Sequence, residues 1–130
     1  MLKDTWRCRR VVVDATGLGA GLASMLQRVL GSRVLRPFLF TAPSKSRIAF
    51  ALLAAVNANR LQLYQRDGSP EHQEFWQQID RAQVRYRPNR TIDFYVDPRD
   101  GHDDFLSSLA LVVEAASTYE PRVARGRIQI

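Results

Sequence analysis

Three features of the sequence predict an α/β domain built on a mainly parallel sheet flanked by helices. Short β-branched or aromatic runs alternate with longer segments of helical period, the pattern of strand–helix–strand units. The first run, Val11 to Val13, is apolar without alternation, as expected of a strand buried on both faces. The chain has 130 residues, 45% of them hydrophobic and 25% charged, the size of one domain around one core. Residues 1–130 are therefore expected to form a single domain.

The elements follow in order. The first strand, RRVVVD, stops at Asp14, ahead of Gly17, Gly19 and Gly21. A helix is expected over roughly 18–30, with Leu22, Met25, Leu26 and Val29 at helical spacing and Gly31 ending it. SRVLRPFLFTA reads as the second strand. PSKSRIAFALLAAVNAN reads as the second helix, with Ser44 as its N-cap and Ile48, Leu52, Leu53 and Val56 facing inward. RLQLYQ is a short strand or an extended segment. SPEHQEFWQQIDRAQ opens with Ser-Pro and carries acids in its first turn, both helix-start signals. VRYRPNRTIDFYV reads as two short strands joined at Pro88-Asn89. In DPRDGHDDFLSSLALVVEAA, four acids and a histidine precede an almost wholly apolar last helix. Residues 119–130 form a basic, weakly structured tail.

Several function classes are disfavoured at once. No apolar run is long enough to span a bilayer, and MLKDTWRCRR has no signal-peptide core. The single cysteine, Cys8, cannot form an internal disulfide and suits a reducing cytosol. There is no Cys-x-x-Cys and there are two histidines, which argues against structural zinc. GLGAG invites a nucleotide-binding reading, but its glycines follow G-x-G-x-G rather than G-x-G-x-x-G, and no P-loop is present. Asp14 just before those glycines would also repel a pyrophosphate.

The formal net charge is +6, carried almost entirely by arginine, since Lys3 and Lys45 are the only lysines. Arginine bias follows from GC-rich coding as readily as from a phosphate-rich partner.

The candidate site begins at Asp14, because sites in open α/β sheets form at the carboxyl ends of strands. Thr16 is placed to cap the following helix, which leaves Asp14 free for another role. Asp103 and Asp104 lie at the start of the last helix, where one acid would satisfy the helix dipole. Two acids, beside His102 and near Asp97 and Asp100, repel one another unless a cation sits among them. A hard divalent ion such as Mg²⁺ prefers such carboxylates. Lys45 and Arg47 occupy a helix's first turn, where a bound phosphate would offset the unfavourable dipole. Arg85, Arg87 and Arg90 flank the hairpin as a solvated sheet face or a DNA-tracking patch.

The blocks VVVDATGLGAGLASML, FLFTAPSKSRIAFALLAAVNANRLQLY and GHDDFLSSLALVVEAA, in this order and spacing, resemble the C-terminal part of the nuclease domain of the tailed-bacteriophage terminase large subunit. The resemblance spans most of the chain from Val11 to Ala116. It implies an RNase H-like fold and a metal-dependent DNA endonuclease of the DNA-packaging machinery, acting in the cytoplasm of a bacterial host. It implies Mg²⁺ or Mn²⁺ as cofactor, with Asp14, Asp103 and Asp104 as catalytic and metal-binding acids and His102 beside the metal. Double-stranded DNA is the implied substrate; the terminase ATPase domain, the small terminase subunit and the portal are the implied partners. The family's first catalytic acid, on the first strand of its fold, has no counterpart before Asp14. The first strands of the fold are thus expected to be missing, and the chain to be weakly active or inactive alone. The alternative is a non-catalytic nucleic-acid-binding or assembly module on the same fold.

Overall fold

A computed structural model describes residues 4–117. The tail at 119–130 lies outside the described residues. The chain folds as a mixed α/β protein with the order β1 (Val11–Asp14), α1 (Gly19–Leu30), β2 (Leu35–Phe38), α2 (Ala42–Asn57), α3 (Pro70–Arg81), β3 (Gln83–Tyr86), β4 (Ile92–Tyr95) and α4 (Asp104–Ser117). No helix among the described residues is long and apolar enough to cross a membrane.

The expected mainly parallel sheet is replaced, among the described residues, by two separate strand pairs. β1 and β2 run parallel, in register from Val11 opposite Leu35 to Asp14 opposite Phe38, with α1 as the crossover. Pro37 marks β2 as an edge strand, since proline cannot complete a central ladder. β3 and β4 run antiparallel, Gln83 opposite Tyr95 and Tyr86 opposite Ile92, because a link of five residues permits only a hairpin. Segment 60–65, expected as a short strand or extended segment, forms no strand, so the two pairs are not joined through it. Val11 to Val13, expected to be buried on both faces, are only partly buried, as the strand belongs to a two-stranded sheet.

The core gathers Phe38, Ile48, Leu52, Ile92, Phe94, Val96, Leu106 and Ala110. β4 reads as a half-buried strand of period two, with Ile92 and Phe94 inward. Buried Ser46 accepts a 3.0 Å hydrogen bond from the Ile92 amide and so ties α2 to β4. α2 begins one turn-start earlier than expected. Thr41 is its N-cap, and Ser44 completes a capping box from the N3 position. Ile48 and Leu52 face inward as expected, whereas Val56 is exposed.

α1 is a helix as expected, ended by Gly31 at φ 87°, but its buried face is not the large apolar stripe. Leu22, Met25 and Val29 are exposed, while Ala23 and Leu30 are buried. α4 is likewise less enclosed than its composition suggests: it buries Leu106 and Ala110 and leaves Val112 exposed.

Candidate functional site: an acidic cleft beside a lysine–arginine clamp

Asp14 is the last residue of β1, at the carboxyl end of the parallel pair. Its Oδ1 accepts the Thr16 amide at 2.8 Å, a local turn of the kind Asp favours. Thr16 does not cap α1. Its hydroxyl oxygen accepts the Phe40 amide at 2.9 Å and stitches the end of β1 to the segment after β2. Asp14 is therefore not wholly free, as its sequence position suggested: one oxygen holds the turn. Gly17 adopts φ 56° in that turn, which suits glycine. A Cβ at Gly19 would collide with the Asp14 carbonyl oxygen, so the helix start is drawn tightly against the strand end.

At the other side, α4 opens with Asp103 and Asp104. The acids do not cap it. Gln78 of α3, 3% exposed, accepts the Phe105 amide at 2.8 Å and the Leu106 amide at 3.3 Å through its Oε1. A neutral amide thus satisfies orphan donors that the carboxylates would ordinarily take. This leaves Asp103 and Asp104 for other partners. Asp103 is half-buried and Asp104 exposed, so the acids stand at an open mouth.

Asp14, Asp103 and Asp104 line one cleft of about 420 Å³, together with Lys45, Thr16, Phe40, Ser107 and Ser108. Residues separated by ninety positions of sequence thus meet where the strand end and the helix start face each other. Among the described residues, no three His, Cys, Asp or Glu side chains stand close enough to enclose an ion. What the cleft offers a divalent cation is a set of separated carboxylates with room for water between them. His102 is exposed and does not line the cleft.

Lys45 sits in the first turn of α2 and borders both this cleft and a smaller recess of about 150 Å³. Its Nζ lies 3.0 Å from Asp93 Oδ1 and 5.2 Å from the centre of the Phe94 ring. Arg87 Nη2 donates to Asp93 Oδ2 at 3.3 Å. Partial burial pushes the Asp93 carboxyl up, but Lys45 and Arg87 together outweigh it and hold the group below the usual carboxylate range. Asp93 is a site residue that local sequence position does not mark, beyond its being an acid on the non-core phase of a strand beside a basic patch.

The other basic candidates are placed elsewhere. Arg47 does not line the cleft. It makes a bidentate pair with Glu114 of α4, at 2.7 and 3.0 Å, and that hydrogen bonding raises its pKa further. Arg85 stacks over the Tyr95 ring at 4.5 Å, across the hairpin. Arg90 occupies the hairpin turn at φ 63°. All three hairpin arginines are exposed, and only Arg87 lines the recess. Asp97 is paired with Arg99 at 2.9 Å, which lowers its pKa, and does not line the cleft. Comparisons with family models, with curated proteins and with solved structures found no match.

Proposed function

We infer that the cleft is a divalent-cation-assisted site for the phosphodiester backbone of double-stranded DNA, on an RNase H-like domain of the terminase nuclease type. The observation that carries this reading is the shared cleft of Asp14, Asp103, Asp104 and Lys45. Carboxylates would hold Mg²⁺ or Mn²⁺, and the ammonium would meet a phosphate oxygen. Mg²⁺ or Mn²⁺ supplies a Lewis acid there and lowers the pKa of bound water. The chain's own groups do the rest. Asp14 orients through the Thr16 turn, the α4 acids sit at a helix start held by Gln78, and Lys45 neutralises approaching phosphate.

In-line hydrolysis by two ions requires them ~3.5–4 Å apart, held by a bridging acid. Among the described residues no acid bridges the three, and the expected behaviour is DNA binding with slow cleavage or none. As a terminase-type domain its partners would be the packaging ATPase, the small subunit and the portal, in the cytoplasm of a bacterial host. Supercoiled plasmid incubated with Mn²⁺ tests the enzymatic part. The expected result is binding with little or no nicking. Brisk nicking abolished by Asp14→Asn would show that the acid set is complete after all.

A second reading is a nucleic-acid-binding or assembly module without catalysis. It is favoured by the absence, among the described residues, of three metal-capable side chains grouped around one point. DNA affinity unaffected by Mn²⁺, with no nicking under any condition, would place this reading ahead.

A further inference from the structure

Asp93 lies on β4, with its side chain 18% exposed, between two cations that come from different elements. Lys45 arrives from the start of α2 and Arg87 from the end of β3. Neither cation needs Asp93 for solubility, and a carboxylate so placed costs desolvation. It fixes both cations at the wall of the recess, which Thr41 and Thr91 also line. Two positive charges against one negative leave the recess with a net positive charge. Lys45 is common to the recess and the acidic cleft, so the two are contiguous.

We propose that the recess is a second phosphate subsite, taking the backbone phosphate next to the one at the acids, and that Asp93 is its positioning residue. The proposal rests on the reading of the cleft as a nucleic-acid site. Phosphate oxygens would be met by Lys45 and Arg87, whose charges meet at Asp93 from two elements. Asp93 touches no ligand in this arrangement. It limits the rotamers of two long side chains, so that less freedom is lost when the phosphate arrives.

Simple charge counting and the proposal make opposite forecasts. Removing a carboxylate raises net charge and should tighten binding to a polyanion. If Asp93 positions the cations, Asp93→Asn instead weakens binding by about fivefold, the scale of one partly buried ion pair. The test is duplex DNA binding by fluorescence anisotropy for the wild type, Asp93→Asn, Lys45→Met and the double variant. Thermal unfolding of each establishes that it is folded. The expected result is weaker binding for each single variant and little added loss in the double variant, since Asp93 acts through Lys45. A purely structural role would instead weaken binding equally with and without Lys45, and would overturn the proposal. Tighter binding by Asp93→Asn overturns it as well, while leaving the reading of the cleft intact. No DNA binding by the wild type removes the reading of the cleft and the subsite together. Inorganic phosphate is the second probe. Saturable phosphate binding lost in Lys45→Met, with DNA affinity unchanged in that variant, would assign the recess to a free anion and overturn the backbone subsite.

Discussion

Asp93 and Asp14 are both carboxylates at strand positions, and their surroundings give them different roles. Asp93 is bracketed by Lys45 and Arg87 and keeps its proton affinity low. A carboxyl whose folded-state pKa is depressed adds stability above its unfolded pKa of ~3.9, and that stability is lost as pH falls through the lower folded value. Unfolding followed from pH 6 down to ~2 should therefore show an acid-side loss in the wild type that is smaller in Asp93→Asn. The expected difference is ~1 kcal/mol, given a partly exposed pair. An identical acid limb in both proteins would contradict the clamp. Asp14, with one oxygen in the Thr16 turn and the other side of the group open to the cleft, is set to meet something from solvent. The acids of the cleft were legible in the sequence because local position marks them: a strand end and a helix start. Asp93 was not, because its meaning comes from Lys45, forty-eight positions away, and no local pattern encodes that pairing. Thr16 misled for the same reason. Its hydroxyl serves Phe40, on another element, rather than its own helix.

At the scale of elements, the helices were legible from period and punctuation. Ser69-Pro70 starts α3 and Gly31 ends α1 as such residues should. Which face turns inward was less legible. The stripe Leu22, Met25 and Val29 reads as a core face, yet α1 lies on its strands through Ala23 and Leu30, whose neighbours Gly19 and Asp14 come into close approach. Gly19→Ala would force the β1–α1 junction apart and should cost ~1–3 kcal/mol, as overpacking does. The loss should appear as a lowered unfolding temperature and a displaced Asp14; an unchanged unfolding temperature would contradict the close approach. α4 depends on a cap from outside itself. Gln78→Ala leaves the Phe105 and Leu106 amides without a side-chain acceptor and should destabilise the fold by ~1–2 kcal/mol. Hydrogen exchange at those two amides should rise in this variant, and unchanged exchange would show that another group caps the helix.

At the scale of the molecule, the α/β class was legible from the alternation of elements, whereas the sheet was not. Strand pairing is decided between distant segments, and a segment such as 60–65 forms a ladder only where a neighbour presents an edge. The charge distribution has a clearer consequence. The acidic cleft shares Lys45 with the recess that Arg87 lines, and Arg85 and Arg90 are exposed elsewhere on the hairpin. DNA held by about four phosphate contacts should lose affinity by on the order of a hundredfold between ~50 and ~200 mM salt. Salt-insensitive binding would remove the electrostatic account of this surface. The most direct measurement of the central claim is calorimetric titration of Mn²⁺ into the wild-type protein and into Asp14→Asn. The cleft predicts weak, saturable binding to the wild type, since its carboxylates are few and separated, and binding weaker still after Asp14→Asn. Equal heats for the two proteins, or no binding to either, would contradict a cation site at the meeting of β1 and α4.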